Sequence, residues 1–218
     1  MSAKHRTMGK TPNPFAVYPT DPRLVRALLR AHVEQDQGPP LPGLNAPLDA
    51  CDPMPVWCDP CANDGAIVRA VESYRSGGRV WLTADIRPEA KVDIVGDFRD
   101  PDVACGADVY LTNPPYTDEE EPDQDKADLM LAFARECCAK RAPNGHVLLL
   151  VRFGFFTALR RQPFIRSAPW DCYPLTPRPS FGVNKRGKKG TDGTDYVWIA
   201  NGPGRIGRIW HPLDWRNA

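Results

Sequence analysis

The run Leu111-Thr112-Asn113-Pro114-Pro115-Tyr116 carries the residues whose types and spacing best suit a reaction. Two successive prolines remove two N–H donors and fix φ at about −65°, which stiffens the turn and leaves its carbonyls for a ligand. The Asn113 side-chain oxygen beside the Pro114 carbonyl makes a pair of acceptors suited to an –NH2 group. Tyr116 offers a flat face for a planar ring. Three carboxylates stand at comparable places, each closing an apolar run: Asp59 after Val56-Trp57-Cys58, Asp85 after Val80 to Ala84, and Asp97 after Val92 to Gly96. Asp59 opens the small-residue loop Asp59-Pro60-Cys61-Ala62-Asn63-Asp64-Gly65, whose backbone can turn sharply and pass close to a ligand.

The elements that position these groups alternate. Strands are predicted over 55–58, 79–84, 92–95, 107–112 and 146–151, with helices over 66–74 and 125–140. The first helix is predicted near Asp21 or Thr20 as its cap, with Pro22 in its first turn and Leu24, Val25, Leu28, Leu29 and Val33 at helical spacing. Residues 37–55 are rich in Pro and Gly and predict a surface loop. Beyond Arg152, a helix over 153–165 interrupted by Pro163 is expected, then strands over 170–175 and 196–200. Strands alternating with helices imply right-handed crossovers and a mainly parallel sheet, in which ligands collect at the carboxyl ends of the strands. Asp59, Asp85, Asp97 and Asn113 all fall at such ends. Residues 1–14 read as a flexible arm and 15–218 as one domain, with Trp210 and Trp215 packing against it.

Composition narrows the class. The 218 residues, 25% charged and 42% hydrophobic, suit a single soluble α/β domain with a full core. No apolar stretch reaches the roughly 18 residues of a membrane span, and the polar start lacks a signal-peptide core. Seven scattered cysteines point to a reducing, cytoplasmic setting. Cys58 and Cys61 form a lone C-x-x-C without a second pair, which reads as packing rather than a metal site. The formal net charge is +1, but residues 152–218 hold 12 Lys/Arg against 4 Asp/Glu, a net +8, while residues 1–151 hold 16 against 23, a net −7. The basic half favours a polyanionic partner, and the loop 182–195 with Lys185, Arg186, Lys188 and Lys189 is its natural contact. An acidic run over 118–125, directly after Tyr116, opposes that reading.

Asp59 to Gly65 resembles the cofactor loop of methyltransferases, D-P-x-x-G-x-G, with Asn63 in place of the first glycine. Asn tolerates the left-handed conformation better than other side chains do. Together with Asn113-Pro114-Pro115-Tyr116 the set resembles the amino-methyltransferase superfamily, whose motif is (D/N/S)-P-P-(Y/F). The Asn form resembles adenine-N6 enzymes acting on DNA or RNA, and protein-glutamine enzymes. Tyr18 and Thr20 resemble parts of the N-terminal cofactor motif of adenine methyltransferases. Arg178-Pro179-Ser180-Phe181 with the following basic loop is similar to the C-terminal hairpin of small phage-type DNA adenine methyltransferases.

The resemblance implies a Rossmann-like methyltransferase fold, with a mainly parallel seven-stranded sheet, helices on both faces and a C-terminal antiparallel hairpin. It implies S-adenosyl-L-methionine as cofactor, held by Tyr18, Thr20, Asp59, Pro60, Cys61, Asn63, Gly65, Asp85, Ile86, Asp97, Phe98 and Asn113. Asp85 would take the ribose hydroxyls; Asp97 and Phe98 would take the adenine. Asn113, Pro114, Pro115 and Tyr116 would be catalytic, with no metal. Tyr116, Arg178, Lys185, Arg186, Lys188 and Lys189 would meet the substrate, with adenine in DNA flipped into the pocket. RNA adenine and protein glutamine stay open as substrates, as do a degenerate nucleic-acid-binding subunit and a homodimer.

Overall fold

A computed structural model of the chain describes residues 19–34, 38–44, 53–101, 103, 106–116, 128–179, 194–207 and 212–218. The expectations for Tyr18, the acidic run 118–125, the basic loop residues Lys185, Arg186, Lys188 and Lys189, and Trp210 lie outside the described residues. The elements are α1 (Pro22–Val33), β1 (Val56–Asp59), α2 (Ala66–Tyr74), β2 (Val80–Asp85), β3 (Ile94–Val95), β4 (Val109–Thr112), α3 (Leu129–Lys140), β5 (His146–Arg152), α4 (Gln162–Arg166), β6 (Asp171–Thr176), β7 (Tyr196–Asn201) and β8 (Leu213–Asp214).

The strands form one sheet in the order β3-β2-β1-β4-β5-β7-β6-β8. Pairing is parallel from β3 through to β5, while β7 runs antiparallel to both β5 and β6. Seven strands were expected; the eighth is the two-residue edge strand β8, parallel to β6, too short to carry a periodic signal. The sheet grows outwards from β1 in one direction and from β4 in the other. With right-handed crossovers, α2 between β1 and β2 and α3 between β4 and β5 must therefore lie on opposite faces. Hydrogen bonds agree: Tyr110 of β4 donates to the Lys140 carbonyl of α3 at 3.3 Å, and Trp198 of β7 donates to the Leu24 carbonyl of α1 at 3.1 Å. Both faces are thus covered, and β4, β5 and β7 are buried almost throughout.

Helix α1 starts where its sequence says. Asp21 caps it, accepting from the Arg23 N–H at 3.0 Å, Pro22 opens it, and Leu24, Val25, Leu28 and Leu29 are fully buried. Its far end is held by a buried polar cluster. The His32 Nδ1 bonds the Leu28 carbonyl at 3.0 Å, which leaves Nε2 to accept from Arg205 at 3.0 Å. The fully buried Arg205 also donates to Asp171 at 3.2 Å and to the Tyr173 hydroxyl at 3.0 Å.

Two local expectations are corrected. The Pro-rich stretch before β1 is not all surface: Leu41 and Leu44 are buried, and the Pro42 carbonyl accepts from the Trp57 indole at 2.8 Å. Residues 153–165 do not make one helix broken by Pro163. They form two 3₁₀ turns, Phe153–Phe156 and Leu159–Arg161, and then the short α4, which Pro163 opens rather than ends. In the tail, Trp215 packs as expected, donating to the Pro177 carbonyl at 2.5 Å beneath the Arg23 guanidinium, 4.7 Å from its ring.

Candidate active site

The carboxyl ends of β1 and β4, neighbours in the sheet, bring two sequence-distant loops together. An open cleft is lined by Thr20, Asp59, Cys61, Asn63 and Asn113, with Ala62, Asp64, Ala66 and Ile67. The loop after β1 turns because Asn63 and Gly65 both adopt the left-handed region, at φ of 51° and 75°. Gly65 then caps α2, and the Ala62 N–H reaches across to the Ala84 carbonyl of β2 at 2.9 Å.

Asp59 sits at the centre and is almost fully buried. Its Oδ1 accepts from the Thr112 hydroxyl at 2.7 Å and the Cys61 N–H at 3.2 Å, while its buried Oδ2 has no partner. Burial pushes its pKa up to about 7, against the lowering effect of those two bonds. A carboxyl of this kind invites a cation. Burial, with the Asp59 charge, also pushes the Cys61 thiol well above its ordinary range, so the thiol stays protonated and Cys61 serves as packing.

Asn113 is held from both sides. Its Nδ2 donates to the Thr20 hydroxyl at 3.2 Å, which ties the N-terminal segment to the Asn-Pro-Pro-Tyr turn. Its Oδ1 accepts from the Tyr116 hydroxyl at 2.5 Å, and that hydroxyl also lies 3.3 Å from the Leu150 carbonyl of β5. The sequence expects Tyr116 to offer its flat face to a planar ring. Instead it is buried, with the Arg152 guanidinium 4.9 Å over its ring and Tyr196 at 5.8 Å between centroids.

Asp85 closes β2, and all of its acceptor positions are taken. Oδ1 accepts from the Arg87 N–H (3.0 Å) and Nε (2.9 Å); Oδ2 accepts from the Asn63 N–H (2.9 Å) and Arg87 Nη2 (3.0 Å). A carboxylate has about four lone-pair sites, so no acceptor is left over. Burial raises this carboxyl, but the Arg87 bonds and charge outweigh it and hold the pKa below the ordinary value. Arg87 also reaches the Asn63 side-chain oxygen at 2.7 Å. Ile86 stands exposed beside them.

Asp97 repeats the pattern with Arg99, whose hydrogen bonds at 2.5–3.0 Å lower the Asp97 pKa. Phe98 is not where stacking on adenine would need it. Its ring is buried against Tyr110 (5.7 Å) and Phe133 (5.8 Å), under the Lys140 ammonium, because the residue after Asp97 points into the α3 face. Of the C-terminal residues, Arg178 is exposed and pairs with Asp195 at 2.5 Å.

Several working residues escaped the sequence reading. Thr112 read as strand core, yet its hydroxyl orients Asp59. Arg23, Arg87 and Arg99 had a visible signal, the repeated Asp-x-Arg of 21–23, 85–87 and 97–99, in which each arginine folds back on the acid two residues before it. Arg152 carried no signal beyond its place at a strand end.

No family model and no curated protein sequence matches the chain. Solved structures do. A Listeria monocytogenes protein described as a class I S-adenosylmethionine-dependent methyltransferase superposes with a TM-score of 0.59 at 12% identity, over 94% of this chain and 68% of that one. The fold is that of the class I methyltransferases. A Streptococcus thermophilus type I restriction-modification methyltransferase subunit gives 0.60 at 13%, over 86% of this chain and 44% of that one. The M protein of the type I restriction enzyme EcoKI gives 0.56 at 14%, over 90% and 45%. The chain therefore spans less than half the length of these last two. No helix among the described residues is long and apolar enough to cross a membrane.

Proposed function

We propose that the chain is an S-adenosyl-L-methionine-dependent methyltransferase acting on the exocyclic amino group of adenine in DNA. The observation that carries this reading is that one cleft is lined both by Asn113, just after β4, and by residues of the Asp59–Gly65 loop, at the end of β1. The residues fit the cofactor. The unpartnered Oδ2 of Asp59 suits a cationic ligand, and the left-handed Asn63 and Gly65 let the backbone approach one closely. When bound, S-adenosylmethionine supplies a methyl group activated on a sulfonium. Thr20, Asp59, Asn63, Gly65 and the exposed Ile86 are the residues that would hold it.

The chain's own part is to present the amine. The lone pair of an aromatic amine is delocalised into its ring, so the nitrogen is a poor nucleophile. Hydrogen bonds from its two N–H groups to Asn113 Oδ1 and the Pro114 carbonyl favour a pyramidal nitrogen and localise the pair. The Tyr116 hydroxyl must give up Asn113 Oδ1 to the substrate, and its ring then becomes available to stack on the base and fix the approach. The surplus amine proton leaves to solvent after transfer. An adenine within a duplex reaches the turn only when flipped out, at a cost of a few kcal/mol. The restriction-modification neighbours and the basic C-terminal part support DNA over RNA or glutamine.

The saturated Asp85–Arg87–Asn63 cluster favours a second reading, a methyltransferase fold that binds nucleic acid without catalysis. Calorimetric titration with S-adenosylmethionine separates the two. Binding that is lost in Asp59→Asn supports the enzyme; no binding to the wild-type chain contradicts it.

A further inference from the structure

Several buried or half-buried arginines have a carboxylate of their own. Arg79 pairs with Glu72, Arg87 with Asp85, Arg99 with Asp97, Arg161 with Asp128 and Arg205 with Asp171. Arg152 does not. It closes β5, the strand next to β4, and no acidic partner lies within ion-pair distance among the described residues. Its Nε is buried without a hydrogen-bond acceptor, and its guanidinium lies 4.9 Å over the ring of Tyr116. A planar cation with unused donors thus lies at the turn where the amine is presented.

This placement works against amine methylation taken alone, because the nitrogen becomes cationic as the N–C bond forms. A guanidinium beside it raises that barrier unless an anion arrives with the substrate. A nucleotide brings one; a glutamine side chain or a free amine does not. The fork of N–H donors on arginine matches phosphate oxygens bidentately, and its flat face lets it slide along an aromatic ring while doing so.

We propose that Arg152 is the phosphate contact of the substrate site, pairing with the backbone of the nucleotide whose base enters the Asn113–Tyr116 turn. The assignment rests on the nucleic-acid reading above and adds to it the residue that selects a phosphate-bearing substrate. In this arrangement the guanidinium leaves the Tyr116 face as the base arrives, and the phosphate neutralises it.

The test uses the full chain with Arg152→Met, which keeps length and removes charge, and Arg152→Lys, which keeps charge. Affinity for a single-stranded oligonucleotide is followed by fluorescence anisotropy across a salt series, alongside S-adenosylmethionine binding and the melting temperature. Arg152→Met should weaken oligonucleotide binding about tenfold and reduce the slope of log affinity against log salt by about 0.7, the value for one phosphate contact on a single strand. Cofactor binding should be unchanged, and Arg152→Lys should restore the slope. A wild-type slope in Arg152→Met, with the loss confined to turnover, overturns the assignment and leaves Arg152 as a support for the Tyr116 ring. A wild-type chain that binds the cofactor but no oligonucleotide overturns the nucleic-acid reading as well.

Discussion

Replacing Asp59 by Asn should stabilise the protein at alkaline pH while abolishing cofactor binding. The two effects have one source. Both hydrogen bonds to the carboxyl, from Thr112 and Cys61, fall on Oδ1, so an Asn of the same shape keeps them and places its amide nitrogen at the unpartnered Oδ2. What changes is the charge. Burial raises the Asp59 pKa from 3.8 to about 7, and each pKa unit is worth about 1.4 kcal/mol. The sign follows from proton uptake: between these two values the folded chain holds a proton that the unfolded chain has lost. The contribution of Asp59 to stability is therefore greatest below about pH 4 and falls as pH rises to about 7, beyond which roughly 4 kcal/mol of it is gone. Asn has no proton to lose. Its advantage over the wild type should be near zero at pH 4 and should grow to roughly 4 kcal/mol by pH 8, about 10 °C in melting temperature for a chain of this size. Thermal unfolding followed by circular dichroism at several pH values measures the difference directly. A difference that does not change with pH, or one of opposite sign at pH 8, would refute the reasoning.

Other predictions follow from the same geometry. Binding of the cationic cofactor should restore the Asp59 charge, so titration at pH 6.5 should release about one proton, seen as a dependence of the binding enthalpy on buffer ionisation; buffer-independent heat would count against it. Asn113→Ala should lower the methyl-transfer rate by about 10²–10³-fold with cofactor affinity kept, since it removes one acceptor from the developing charge. Arg87→Met should lower the melting temperature, because it leaves Asp85 buried without its partner. It should also tighten S-adenosylmethionine binding, because ribose hydroxyls then meet free acceptors; weaker binding would mean that Arg87 itself holds the ligand. Asp171→Ala should cost roughly 3–5 kcal/mol in urea unfolding by leaving the Arg205 charge uncompensated in the core.

How far the sequence could be read depended on whether a feature was local. The cap and apolar spacing of α1, the strand ends bearing Asp59, Asp85, Asp97 and Asn113, and the left-handed turn at Asn63 are set by neighbours in the chain, and the structure shows each where its pattern places it. Phe98 was misplaced because one residue of register after β3 decides between cleft and core, and a two-residue strand gives no periodicity to fix it. Leu41 and Leu44 look like loop residues because Pro and Gly punctuate their stretch; the stretch is held instead by Trp57 of β1, which donates to the Pro42 carbonyl, and by Arg79, which donates to the Gly43 carbonyl. The guanidinium of Arg152 over Tyr116 and the Thr112 hydroxyl on Asp59 join residues distant in sequence. Composition and spacing do not encode them.

The central claim is that the Asn113-Pro114-Pro115-Tyr116 turn presents the adenine amino group of DNA to a methyl donor. The most direct measurement incubates the chain with S-adenosylmethionine and, in parallel, DNA, RNA or protein, then digests each and identifies the products by mass spectrometry. N6-methyladenine from DNA, absent with Asn113→Ala, is the result predicted. A methyl group found only on RNA or on glutamine, or no transfer to any substrate by a chain that binds the cofactor, would contradict it.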